Sequence, residues 1–262
     1  ELEIDYDYDD FSGKALVTIK QVQENSETPV YKLPIDVDVY NNGKTERHRI
    51  VMDQTEQTFS FMVDDKPELI NVDAEKMLLC EKTDNKSTEE FIFQYYNAPL
   101  FLDRYEAIEH LEENQGSQEA KKTLARAIED KFWVVRRKAI NALDATTTEM
   151  VKDKLLNIAE NDEKSHVRSE ALEKLAEYGF SDKALLSEAF KDQSYRVAST
   201  ALELLYEEDS LKAFGIAKTL EEETNSDIVS VVTGLYSEMG GPEQNEFFME
   251  KITIGPGGPR FV

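Results

Sequence analysis

The octet Arg136-Arg137-Lys138-Ala139-Ile140-Asn141-Ala142-Leu143 decides the fold, because the chain repeats its pattern at a fixed distance on either side. Upstream it aligns with Arg104-Tyr105-Glu106-Ala107-Ile108-Glu109-His110-Leu111. Downstream it aligns with Arg168-Ser169-Glu170-Ala171-Leu172-Glu173-Lys174-Leu175, and then with Ala198-Ser199-Thr200-Ala201-Leu202-Glu203-Leu204-Leu205. The central alanines at 107, 139, 171 and 201 are 32, 32 and 30 residues apart. Alanine there lets two helices approach closely, and the apolar residues one and four places later continue a buried stripe.

Self-similarity at this period is the mark of stacked helical units that share one core. Asp130, Asp162 and Asp192 precede Val135, Val167 and Val197 at a fixed offset, and each is expected to cap the helix that follows. Partner helices are predicted over 118–130, 149–161 and 183–191, with a degenerate fifth copy over 231–236. Four copies in register make this a helix-pair solenoid of the HEAT type, spanning 87–254. Ser87 or Thr88, with Glu90 nearby, marks its start. At the far end Phe247 to Ile252 still reads as helix, but Ile254-Gly255-Pro256-Gly257-Gly258-Pro259 cannot continue one. Residues 255–262 are read as an irregular tail, either native, a cloning scar or an artefact of truncation. A polar-faced closing repeat is not legible.

Upstream of the repeats the period changes from helical to two. Leu2, Ile4, Tyr6 and Tyr8 alternate with acids, Ala15, Val17 and Ile19 follow the turn at Ser12-Gly13, and Ile35, Val37 and Val39 alternate again. Asn42-Gly43 is a strong hairpin signal. The stretch 46–52, with His48 and two arginines, reads as an edge strand. Phe59, Phe61 and Val63, then Ile70 and Val72, and finally the apolar run Met77-Leu78-Leu79-Cys80, complete about seven strands. Residues 1–86 are therefore expected to form a β-sandwich, and the whole chain a sandwich followed by an all-α solenoid.

The chain has 262 residues, 40% of them hydrophobic, and a net charge of −24. Residues 1–86 hold 20 acids against 10 bases, a charge of −10, which leaves −14 for the remainder. Both parts repel phosphate backbones and anionic lipid heads, which argues against nucleic-acid and membrane partners, and both weakly attract cations. A single cysteine, Cys80, excludes an internal disulfide and a cysteine zinc site, and its apolar setting predicts a buried thiol. Neither a membrane span nor a signal peptide is legible, so the chain reads as soluble, with cytosol and periplasm both open.

The search for chemistry finds no assembled site. His48, His110 and His166 lie on separate elements without the paired spacing a helical zinc site requires. Asp5-x-Asp7-x-Asp9 fails as a calcium loop, because Asp10 stands at the glycine position and Leu16 at that of the bidentate glutamate. No nucleophile elbow, P-loop or dinucleotide fingerprint occurs. Arg136 and Arg168 share a repeat position and are expected to be structural, and Trp133 is expected to pack between repeats. No catalytic, metal-binding or cofactor residue is assigned, and substrate-binding residues are left unassigned.

Three strings in the sandwich resemble the C-terminal half of zinc aminopeptidases of the aminopeptidase N family. They are Tyr6-x-Tyr8 with Gly13-Lys14-x-x-Val17-x-Ile19-x-Gln21-x-Gln23; Val30-Tyr31-x-Leu33-Pro34-Ile35-x-Val37; and Gln57-x-Phe59-x-Phe61 with Lys66-Pro67 and Val72-Asp73. The order of modules, sandwich then helical repeats, is also that family's. The resemblance implies a non-catalytic C-terminal fragment that packs on an upstream catalytic domain, absent here, and encloses its active site. Zinc and peptide substrates would then belong to that parent, and whether the parent keeps its zinc ligands is open. A domain cut from its neighbour is expected to expose an apolar patch on the sandwich or inner helices, through which it can dimerise. The alternative is an independent protein-binding helical-repeat scaffold with no peptidase parent.

Overall fold

The computed structural model of the chain describes residues 1–23 and 28–253. They fall into two compact units, Glu1–Thr123 and the chain from Leu124 onward.

The first unit contains strands β1 (Leu2–Asp9), β2 (Lys14–Gln21), β3 (Leu33–Asn41), β4 (Lys44–Met52), β5 (Glu56–Met62), β6 (Leu69–Val72) and β7 (Lys82–Asp84). One sheet has the order β5-β2-β1-β7 and the other β4-β3-β6. Every pairing is antiparallel except that of β7 with β1. Alternation aims one side of each strand inward. Ile4, Val17 and Ile19 of the first sheet and Ile35, Val37 and Met52 of the second are fully buried in one shared core. Asn42 and Gly43, with φ of 52° and 72°, join the paired residues Asn41 and Lys44 in a tight two-residue hairpin. β4 is an edge strand, and Lys44, Thr45, Glu46 and Arg47 on it are exposed.

The last strand is not where the hydrophobic run places it. Met77 to Cys80 is not a strand, and β7 forms from Lys82 to Asp84 instead. Asp73 and Lys76 have φ of 57° and 52°, which turns the backbone out of the extended region. The Asp73 carboxylate then accepts the N–H groups of Met77 and Leu78 at 2.9 and 3.1 Å. Those donors are satisfied locally and have no need of a ladder. Leu78 packs on the sandwich core, whereas Met77, Leu79 and Cys80 face outward. The thiol expected to be buried is exposed.

The same unit continues with α1 (Thr88–Asn97) and α2 (Phe101–Glu113). Ser87 caps α1 in a capping box, its hydroxyl accepting the N–H of Glu90 while the Glu90 carboxylate accepts the N–H of Ser87. α1 packs on β6 and on α2, and Ala107 and Leu111 of α2 are fully buried.

Next come α3 (Gln118–Ala127), α4 (Trp133–Asn141), α5 (Ala145–Asn161), α6 (Ser165–Glu177) and α7 (Lys183–Ala189). They are followed by α8 (Tyr195–Glu208), α9 (Ser210–Ala217), α10 (Ser226–Met239) and α11 (Asn245–Thr253). In the second unit α4, α6, α8 and α10 pack in a row, each on the next, with α5 against α6 and with α7 and α9 against α8. Ala139, Ala171 and Ala201 are fully buried at the centre of this row, with Val135, Val167 and Val197. The degenerate copy at 231–236 lies within α10, and the tail at 255–262 lies outside the described residues.

Asp130, Asp162 and Asp192 do not cap the helices that follow them. The capping positions are Phe132, Lys164 and Ser194, two residues later, and each aspartate accepts the backbone N–H of that residue at 2.7–2.9 Å. Arginines engage the Asp162 and Asp192 carboxylates. Arg136 grips Asp162 with two bonds of 2.8 Å and donates to the Asp130 carbonyl at 3.0 Å. Arg168 grips Asp192 in the same way and donates to the Asp162 carbonyl at 2.6 Å. The recurrent aspartate and arginine form one ladder, each rung tying a repeat to the next, and Ala198 occupies the arginine position in the fourth copy.

Candidate functional site

The three histidines are each occupied by an aromatic neighbour. His48 on β4 leans on Phe61 at 4.7 Å, His110 on α2 stacks on Phe91 at 4.1 Å, and His166 on α6 meets Trp133 of α4 at 5.3 Å. Trp133 thus packs between successive repeats. Burial lowers the pKa of His110 and His166 below the usual imidazole value. Among the described residues, no group of three or more His, Cys, Asp or Glu side chains is placed to hold a metal ion. Asp5 and Asp7 lie exposed along β1, while Asp9 accepts the N–H groups of Phe11 and Ser12 in the turn. Although Cys80 is exposed, local desolvation raises its thiol pKa, which keeps it protonated and a weak nucleophile at neutral pH.

The densest chemistry in the first unit is a set of buried charges between the sandwich and α2. Asp103 is fully buried; it accepts from the Asn71 amide and the Lys76 ammonium at 2.9 Å each, and from the Leu100 N–H at 3.1 Å. Glu106 pairs with Lys76 at 2.6 Å and Lys82 at 2.8 Å. Burial alone would raise the Glu106 pKa, but the two ammonium groups override it and bring it down to about 2. Lys86 is the opposite case: burial lowers its pKa, and Asp84, 2.5 Å away, offsets only part of that. A lysine with a lowered pKa is a candidate base. This side chain is fully buried and wedged between the rings of Tyr6 and Phe91, out of any substrate's reach. The cluster is a structural joint. Sequence reading missed it because its partners lie 24 to 32 positions apart and share no motif.

The first unit also presents an apolar surface outward. Met77 and Leu79 are 79% and 105% exposed on the loop fixed by Asp73, and Tyr31 is 53% exposed nearby. Tyr31 and Leu79 border a cleft of about 590 Å³, which Val22 and Leu78 also help to line. Gln21, itself buried, pins this surface: its side-chain amide donates to the Tyr31 carbonyl at 2.8 Å and accepts the Tyr31 N–H at 2.9 Å. Ordered, exposed apolar side chains held in this way mark an interaction surface more than a catalytic one.

The HEAT-repeat family pattern matches residues 89–176. No curated protein matches the sequence. Among solved structures, the chain is similar to Legionella pneumophila aminopeptidase A in complex with aspartic acid, with a TM-score of 0.64 and 13% identity, over 97% of this chain and 37% of that one. This chain thus spans about 37% of the length of that structure. A designed armadillo repeat protein in complex with the peptide (KR)4 aligns over 63% of this chain and 87% of that one, with a TM-score of 0.36 and 16% identity. The chain therefore has β sheets followed by helical repeats, an architecture it shares with a stretch of an aminopeptidase, and at 13% identity that likeness speaks for the fold alone.

Proposed function

We propose that this chain is the non-catalytic C-terminal region of an aminopeptidase N-type zinc metallopeptidase, packing on an upstream catalytic domain and enclosing its active site. The observation that carries the reading is the fold likeness to an aminopeptidase over 97% of the chain, sandwich and helices together. Two further features support it. The three sandwich strings resemble that family, and the apolar surface at Tyr31, Met77 and Leu79 offers a place for a neighbouring domain to pack. On this reading the zinc and the reacting groups belong to the catalytic domain, and the residues described here position that domain.

The test is direct. The gene is read upstream of Glu1, and the longer protein and this chain are purified in parallel. The longer protein is expected to hold stoichiometric zinc and to cleave an aminoacyl reporter, and this chain to do neither. Zinc or cleavage in this chain alone, or an upstream sequence without H-E-x-x-H, defeats the proposal. The competing reading, a self-standing protein-binding repeat scaffold, draws on a groove in the second unit.

A further inference from the structure

That groove lies between α8 and α10 and encloses about 660 Å³. Its floor is open because small residues stand where larger ones would fill it. Ser230 and Gly234 are both exposed on α10, and a Cβ added at Gly234 meets no atom within 4 Å. Leu235 and Val231 add an apolar wall.

The charge of the groove is uneven. Glu203 of α8 and Glu238 of α10 both line it, and neither has a cationic partner among the described residues. In the same unit Glu170 of α6 is paired with Arg137, as Asp162 is with Arg136. Glu238 is also oriented, because the Tyr206 hydroxyl of the neighbouring helix donates to its carboxylate at 2.6 Å. One repeat earlier, Glu173 accepts from the hydroxyls of Ser169 and Thr200. Partial burial and then the charges of Glu170 and Glu203 push its carboxyl above the usual range. Among the described residues, no cation pairs with Glu173, Glu203 or Glu238. At the other end of the groove stands Arg196, exposed and seven residues before Glu203, roughly 10 Å along the helix.

We infer that the α8–α10 groove is a docking site for an extended segment of a partner protein bearing a single arginine or lysine, whose charged head sits between Glu203 and Glu238. Long cationic side chains suit such a place, since the aliphatic stem covers Val231 and Leu235 while the head meets the carboxylates. Arg196 and Asp227 also line the groove and are of opposite sign, so the unmatched charge lies at Glu203 and Glu238 and suits a single cation. The inference is independent of the aminopeptidase reading: the groove is the same whether or not a catalytic domain precedes the chain.

The test uses the full chain and a fluorescein-labelled Ala-Ala-Ser-Arg-Ser-Ala-Ala peptide, followed by anisotropy, with the citrulline version as control. The arginine peptide is expected to bind at least about tenfold more tightly than the citrulline one. Glu203→Gln with Glu238→Gln, and separately Gly234→Trp, which plugs the floor without touching a charge, are each expected to weaken binding about tenfold. Asp7→Asn with Asp10→Asn removes the same charge from the sandwich surface and is expected to leave affinity unchanged. Circular dichroism and melting confirm that each variant folds. Equal loss in the sandwich variant, which would mean bulk attraction to the −24 chain, overturns the inference. So does full binding by Gly234→Trp, equal binding of the citrulline peptide, or no binding up to millimolar protein.

Discussion

The two units handle buried charge in opposite ways. In the first, charges converge: Lys76 and Lys82 share Glu106, and Lys76 also shares Asp103 with Asn71. In the second they are strung out, with one arginine on one aspartate per rung, Arg136 on Asp162 and Arg168 on Asp192. A convergent cluster fails together, because removing one member strands several charges in a low-dielectric space. A ladder loses only the rung that is cut. The sandwich joint therefore concentrates its vulnerability in a few atoms, and the repeats distribute theirs.

The largest effect is expected at the convergent centre. Asp103→Ala leaves the Lys76 ammonium, 6% exposed, short of a partner and frees the Asn71 amide. A loss of about 4 kcal/mol in urea-monitored stability is expected. A loss below that of a single ladder rung would dissolve the contrast. The second test is titration. Glu106 has a folded pKa of about 2, depressed from 4.5, so its contribution is present above pH ~4.5 and is lost as the pH falls toward 2. Wild-type stability is expected to drop across that window by on the order of 3 kcal/mol more than that of Glu106→Gln. Parallel pH curves for the two proteins would refute it.

Cutting a rung is expected to cost less. Arg168→Ala removes a bidentate pair whose partners are about 15% exposed, for about 2 kcal/mol, read from the melting midpoint. Arg168→Lys recovers little of it, since an ammonium cannot bridge both Asp192 oxygens and reach the Asp162 carbonyl as well. Full rescue by lysine would show that charge alone, and not the fork, holds the rung. The smallest change is expected from Lys191→Ala at the exposed pair with Glu188, where both side chains are more than two-thirds exposed. It should shift stability by less than about 0.5 kcal/mol. A larger shift would mean that surface pairs matter more than either buried arrangement implies.

Much of the architecture was legible because it rests on periodicity. Ile4, Val17 and Val37 announce the sandwich faces, and Ala139, Ala171 and Ala201 give the repeat register. All six are fully buried. What escaped depends on distance in sequence or on backbone turns. The run at Met77 to Cys80 has strand composition, but the left-handed residues Asp73 and Lys76 decide its course. Asp162 and Asp192 recur visibly, yet their arginine partners stand 26 and 24 residues earlier, so a local capping rule assigned them the wrong role. The Lys76–Glu106 joint exists only once the loop and α2 have been brought together, and no spacing within the chain announces it. The groove between α8 and α10 was equally silent, being defined by what Ser230 and Gly234 lack.

The ladder also bears on how such an array can change length. Each complete module carries both halves of a joint: an aspartate that receives the arginine before it and an arginine that reaches the aspartate after it. Duplicating or deleting a whole module regenerates the seam with no compensating change elsewhere, so unequal recombination can lengthen or shorten the series at little risk to folding. Alanine at 198 is then a full stop written in one residue: beyond it the connection must be made by other contacts, and growth by simple duplication ends there.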